Sequence, residues 1–319
     1  MQLSIVPYDN TNNDAPMKPW HALTNNAFLL TDNSSPKECL FFFDSAPNNT
    51  TMPTILLIHG LGDDADSWRH LVPLLHSSGY RVLALDLPGF GRSVAGGKLS
   101  IKSYVNTVFK LLDALKLHPE TPVFLAGSSM GAAIAEAAAL QKPERIRALI
   151  LLNGSIPGGP QKIGIAALAK LLLGKRSFRA YHENPERAWA SLYPYYTDLD
   201  GMPSSDKEFL RKRVMERVGS PAHERSYFAV QKSIVSTFAL TASRFARKIR
   251  ASKNDILLLW GEDDKVLPFA PAKAFAKLRS GIELHTIPGA GHLPHQEKPA
   301  ETAKLMVEFA EHCLRSSNQ

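Results

Sequence analysis

The sequence predicts an α/β fold: a mostly parallel sheet with helices on both faces and one helical insertion. Three observations carry that expectation. From Thr54 onward, short runs of Ile, Leu and Val alternate with helical segments; over roughly Ser155 to Ser236 only helical patterns occur; after that the alternation resumes. Strands that read as unbroken aliphatic runs are buried on both faces, as parallel strands joined by crossover helices are.

Ahead of Thr54 the chain is polar, Asn-rich and broken by Pro, and no element is assigned before Ala27. AFLLTD (Ala27 to Asp32) and ECLFFFDS (Glu38 to Ser45) flank the turn signal NSSPK and read as an antiparallel hairpin at the edge of the sheet. TILLIHG is the first strand of the alternating part. It is followed by a helix around SWRHLVPLLHSSG, the strand RVLALD, the helix SIKSYVNTVFKLLDALKL and the strand VFLAG. The next helix, Met130 to Leu140, is dense in strong helix formers and is ended by Lys142-Pro143. ALILLNG closes the first half; DILLLWG, APAKAFAKLRS, IELHTIP and AETAKLMVEFAEHC complete the pattern.

The core is therefore expected in residues 1–154 and 237–319, and the insertion in 155–236, leaving the strand that ends near Asn153. IGIAALAKLLL, PERAWASLY, DKEFLRKRVMERV and ERSYFAVQKSIV give the insertion its helical character. A structureless loop of that length is not expected inside a compact domain. Because it departs from the carboxyl end of a strand, where ligands bind in open α/β sheets, it is expected to be a lid.

At 44% hydrophobic and 21% charged residues the composition is that of a soluble globular chain. No apolar run approaches the ~20 residues of a membrane-spanning helix. The N-terminus has no basic start, apolar stretch or small-residue cleavage site, so a cytoplasmic location is expected. Cys39 and Cys313 are too few for a disulfide framework or a zinc site, and neither a metal nor another cofactor is implied. The net charge of +7 comes without zinc-finger spacing, a basic-aromatic RNA motif or a long Lys/Arg run, which argues against nucleic acid. It is also concentrated: residues 155–250 hold seventeen Lys and Arg against eight Asp and Glu. Arg176, Arg179, Arg211, Lys212, Arg213 and Arg217 form either a solvated face or a field that draws anionic or carrier-linked substrates to the pocket mouth.

The stretch FLAGSSMGAA sets two serines on a sharp strand-to-helix turn. Such a turn demands small residues two before and two after its central one. Centring on Ser129 puts Gly127 and Gly131 there, whereas centring on Ser128 puts Ala126 and bulky Met130 there. This G-x-S-x-G elbow resembles that of the α/β-hydrolase family. HGLG (His59 to Gly62), DLPGFGRS (Asp86 to Ser93), GEDD (Gly261 to Asp264) and GAGH (Gly289 to His292) resemble that family's other motifs in order, over nearly everything from Ala27 onward.

The resemblance implies an α/β-hydrolase fold and a Ser, acid, His order. Ser129 would be the nucleophile, and His292, lifted over the sheet by Gly289 and Gly291, the base; His295 is the second choice, better suited to the pocket rim. Glu262, Asp263 and Asp264 share one loop. The family's G-x-x-D followed by proline carries the acid to Asp264 with Pro268, and Asp263 is the alternative. The elbow makes the Met130 amide one oxyanion donor, and the family's His-Gly-x pattern makes the Leu61 amide the other. His59 is expected to be structural, and so is Asp86.

These features imply a serine carboxylic-ester hydrolase acting on a small-molecule ester. The same machinery suits a C–C bond hydrolase of meta-cleavage products, although those enzymes often carry an aromatic residue where Leu293 stands. A triad-bearing small-molecule receptor is the alternative of another class, because fold alone does not fix function.

Overall fold

The computed structural model describes residues 3–9, 17, 19, 20, 26–32, 38–49, 51–117, 123–154 and 178–316, leaving aside the side chains of 235–242. Among these residues nine strands form one sheet: β1 (Leu3–Pro7), β2 (Ala27–Asp32), β3 (Cys39–Asp44), β4 (Thr54–Ile58), β5 (Arg81–Leu85), β6 (Val123–Ser128), β7 (Ala148–Leu152), β8 (Asp255–Gly261) and β9 (Ile282–Ile287). Their order is β1-β2-β3-β5-β4-β6-β7-β8-β9. The pairs from β5 through β9 are parallel, and β1, β2 and β3 complete the sheet in antiparallel fashion.

The N-terminal edge departs from the expected hairpin. It has three strands, because LSIVP pairs with β2. Ile5 and Val6 are exposed there, so β1 is held by its ladder of backbone hydrogen bonds and carries no buried-face pattern for a sequence reading to detect.

Neighbouring residues of a strand point to opposite faces, and here both faces are covered. Leu56, Ile58, Leu83, Leu125 and Leu149 pack against α2 (Ile101–Ala114) and α3 (Met130–Gln141) through Val108, Leu112, Ile134 and Ala138. Ile55, Leu57, Val82, Phe124 and Ile150 face α1 (Leu71–Ser77) and the C-terminal helix through Leu71, Leu75, Met306 and Phe309. Continuous aliphatic runs in the sequence are thus two interleaved cores.

Of the insertion, IGIAALAKLLL lies outside the described residues. Residues 178–183 are helical, followed by α4 (Pro185–Ala190), α5 (Ser204–Val218) and α6 (Pro221–Ala251). α6 runs unbroken through the position where insertion and core were expected to meet, and its Val230 and Ile249 are buried in the α2–α3 core. The chain ends with α7 (Ala270–Ala276), α8 (Pro294–Glu297) and α9 (Pro299–Ser316). Among the described residues no helix is long and apolar enough to cross a membrane.

The antiparallel edge is joined to the parallel sheet by a buried fork. Arg81 donates from Nε to Asp44 Oδ1 at 2.9 Å and from Nη2 to Asp44 Oδ2 at 2.5 Å. Removing one partner of such a pair strands a charge in the interior, at a cost of roughly 3–5 kcal/mol. Arg81→Met should lower the unfolding free energy from urea titration by that order, and Arg81→Met with Asp44→Leu should recover most of the loss; equal unfolding free energies for Arg81→Met and wild type would refute this.

Candidate active site

Ser129 joins β6 to α3 with φ 54° and ψ −113°, a strained combination for a residue with a Cβ. Its N–H donates to Leu152 O at 2.9 Å, which fixes the turn to β7. The neighbouring backbones are in near contact. A Cβ on Gly127 would lie 2.2 Å from the carbonyl carbon of Gly131, and one on Gly131 would lie 2.0 Å from Ile58 O. Only the register centred on Ser129 puts glycines at those two places. Ser128 is buried as the last residue of β6, whereas Ser129 is partly exposed. Met130 begins α3, so its N–H has no carbonyl partner within the helix and sits at the positive end of the helix dipole.

The loops after β8 and β9 bring a carboxylate to a histidine. His292 Nδ1 lies 2.9 Å from Asp264 Oδ2, and both side chains are almost wholly buried. Asp264 Oδ1 accepts the amides of Val266 and Leu267 at 2.8 and 3.0 Å. Burial pushes the Asp264 carboxyl up, but its bonds to His292, Asn153 and Leu267 outweigh that and hold it below the usual range. Asp263 is exposed and accepts the Thr197 hydroxyl at 3.3 Å.

Two residues here were not foreseen. Asn153, at φ 43°, donates to Asp264 Oδ2 at 2.7 Å and accepts Gly261 N–H at 3.1 Å. Gly154 passes so close to the elbow that a Cβ would lie 2.4 Å from Ser129 O. Asn153-Gly154 therefore ties the serine turn to the carboxylate loop. The pair after β7 was the available signal, but an Asn-Gly there reads as an ordinary turn.

His59 is buried and doubly bonded: Nδ1 lies 2.7 Å from Gly60 O, and Nε2 accepts Leu87 N–H at 2.9 Å. This fixes its tautomer and secures the turn that carries Leu61. Asp86 accepts Ala65 N–H and forks to Arg92, as a structural residue does. His295 departs from the rim position expected for it. It is fully buried, 2.9 Å from Ser67 Oγ and packed against Trp68 with ring centroids 4.2 Å apart. Burial, with Arg69 nearby, pushes its pKa down to about 3.

A serine on a strand–turn–helix elbow, at the end of a parallel sheet whose later loops carry a histidine and a carboxylate, places the chain in the α/β-hydrolase class. The model of the Alpha/beta hydrolase family matches residues 55–305, and the chain belongs to that family. It is 28% identical over 262 residues, 81% of this chain and 94% of the relative, to the pimeloyl-[acyl-carrier protein] methyl ester esterase of Methylococcus capsulatus. It is 29% identical over 268 residues, 81% of this chain and 88% of the relative, to the 2-hydroxy-6-oxononadienedioate/2-hydroxy-6-oxononatrienedioate hydrolase 2 of Pseudomonas putida. In fold it is similar to a thermophilic esterase from Thermogutta terrifontis, with a TM-score of 0.70, 24% identity, and coverage of 89% of this chain and 97% of that one.

The insertion's charge is only partly free to act on a substrate. Arg213 is buried, its Nη2 2.6 Å from Asp66 Oδ2, and Arg217 donates to Asp63 and Asp64 at 2.5 and 2.6 Å. Arg211 is exposed, pairs with Glu186 at 3.0 Å and lies over the Trp189 ring. Arg179 pairs with Glu183, Lys212 is exposed, and Arg176 lies outside the described residues. Arg213 and Arg217 are thus neither a solvated face nor a free attracting field: the acidic loop at 63–66 consumes them.

Asp206 of α5 fastens the same helix to the core, with Arg69 Nη2 at 2.6 Å and His70 Nε2 at 2.7 Å. Burial pushes its carboxyl up, yet the bonds and charges of His70 and Arg69 win and bring it down to about 2. A depressed folded-state pKa gives stability that is present above the unfolded value, about 3.9, and is lost as pH falls through the folded one. Between pH 4 and about 2, the wild-type urea midpoint should therefore fall more steeply than that of Asp206→Asn; parallel curves would rule out this coupling.

Proposed function

We propose that the chain is a serine hydrolase that cleaves a carboxylic ester through an acyl-enzyme. Ser129 is the nucleophile, His292 the base, and Asp264 the carboxylate that orients the base. The observation that carries this reading is the 2.9 Å contact of His292 Nδ1 with Asp264 Oδ2, linked to the serine turn through Asn153-Gly154. An ionised Asp264 keeps the ring proton on Nδ1 and leaves Nε2 to accept another. In the reaction Nε2 takes the Ser129 hydroxyl proton as Oγ attacks the ester carbonyl. The negative oxygen that forms is met by the amides of Leu61 and Met130. Collapse of the intermediate returns the proton to the departing alcohol, and water, activated by the same imidazole, then releases the acid.

The ester reading is supported by the name of the Methylococcus relative. An anionic or carrier-linked substrate would be drawn by the exposed Arg211 and Lys212, since Arg213 and Arg217 are taken up inside the fold. A second reading, a C–C bond hydrolase of meta-cleavage-type products, is favoured by the Pseudomonas relative. Against it, the residue after His292 is Leu293, which packs into the insertion's cluster of Trp189, Tyr196, Leu199 and Leu210; the aromatic ring beside His292 is that of Tyr195, with centroids 5.7 Å apart.

Turnover of short nitrophenyl esters beside a 2-hydroxy-6-oxo-dienoate separates the two readings, and a burst that stops after one equivalent would favour a receptor. Ser129→Ala should abolish ester turnover without altering the fold, and Ser128→Ala should keep most of it. Asp264→Asn should lower kcat by about 10⁴, as wrong-tautomer variants of other triads do, and Asp263→Asn far less. A dead Ser128→Ala, or equal losses at the two aspartates, would overturn these assignments.

A further inference from the structure

We propose that Arg217, on the insertion's helix α5, is a positioning residue for the oxyanion loop; this rests on the reading of the Leu61 amide as an oxyanion donor. Gly60, Leu61, Gly62 and Asp63 form a four-residue turn. Asp63 N–H donates to Gly60 O at 3.3 Å, and Gly62 sits third at φ 78°. A positive φ at the third residue is the mark of a type II turn and calls for glycine. The 3.3 Å closing bond is at the long end of the useful range, so the turn's orientation depends on what grips its ends.

The core grips the first end, where His59 Nδ1 lies 2.7 Å from Gly60 O. The other end is gripped from the insertion. One nitrogen of Arg217, Nη2, bridges Asp63 Oδ1 at 2.5 Å and Asp64 Oδ2 at 2.6 Å. Asp64 is wholly buried and caps the short helix that follows by accepting Asp66 N–H at 3.1 Å. The clamp therefore sets the last residue of the turn and the one that follows it. Tyr227 of α6 closes the remaining side, its ring 2.9 Å from where a Gly62 Cβ would be. Losing the clamp frees the turn to tilt the Leu61 amide away from the developing oxyanion while the ground-state pocket stays in place. The signature is a loss in kcat with KM little changed.

The test compares Arg217→Gln and Arg217→Lys with Asp206→Asn, which loosens α5 without touching the turn. Each is assayed for kcat and KM on a nitrophenyl ester and for inhibition by a trifluoromethyl ketone, whose adduct places an oxyanion in the hole. Arg217→Gln should lower kcat about ten- to a hundredfold, below the ~10²–10³ cost of removing one donor, with KM within about threefold and inhibitor affinity falling in parallel. Arg217→Lys reaches one carboxylate and should fall between Arg217→Gln and wild type, and Asp206→Asn should keep its kcat. Asp63→Asn cuts one arm of the clamp and should show the same pattern more weakly, which decides the matter if Arg217→Gln does not fold. Unchanged kcat and inhibitor affinity in the Arg217 variants, or equal losses in Asp206→Asn, would overturn the assignment. Retained turnover in Ser129→Ala would instead sink the hydrolytic reading, and this inference with it.

Discussion

Backbones converge on Ser129 from four directions, and no side chain fits between them. β6 enters and α3 leaves; the carbonyl end of β4 lies under Gly131, and the chain leaving β7 crosses at Gly154. The left-handed serine is tolerable only because this packing over-determines it: strain of about 1–3 kcal/mol persists where the surroundings leave no alternative. The same crowding brings the carboxyl ends of β4, β6, β7 and β8 together, and these are the ends that carry Leu61, Met130, Asn153 and Asp264. The geometry of the site is thus a consequence of how closely α3 can approach the sheet.

Around that apolar contact the chain buries an unusual amount of charge. Asp66 receives Arg92 from the loop after β5, Arg213 from the insertion and the backbone N–H of Trp20 from the N-terminal segment. Trp20 in turn packs edge-on against Phe209 of α5, and the Arg69 guanidinium lies 5.5 Å from its ring. Burial disfavours the Asp64 carboxylate, but the charges of Arg217, Arg213 and Arg92 outweigh it and hold that carboxyl well below its ordinary value. Buried pairs of this kind add little net stability over apolar packing but are costly to break singly. Here they join the insertion's α5 to the core at the acidic loop.

How much of this could be read in the sequence depended on whether the signal was local. The aliphatic strands and the G-S-S-M-G turn are local, and the structure places them where the pattern does. β1 was missed because an exposed edge strand carries no periodicity. Asp264 is distinguished from Asp263 by a contact with a loop twenty-eight residues on, which the register of the motif suggested but residue types alone could not fix. Arg213 and Arg217 read as surface charges because a charge count does not show partners. DDAD, at 63–66, stood immediately after HGLG and was the missing half of that balance.

The insertion also grips the histidine side of the site. His292 N–H donates to Tyr195 O at 2.9 Å, and the Glu297 carboxylate accepts Thr197 N–H and Gly291 N–H, each at 2.7 Å. Burial raises the Glu297 pKa despite those bonds. With Tyr195 and Thr197 at the His292 loop and Arg217 at the loop after β4, the segment after β7 contacts both loops that the proposed mechanism brings to Ser129. A flap hinged at one edge would touch neither loop, whereas the described part of this segment is hydrogen-bonded to both. Changes at these particular contacts are therefore expected to reach the geometry of the His292 loop and of the Leu61 loop as well as the shape of the pocket, whereas changes elsewhere in the segment need not.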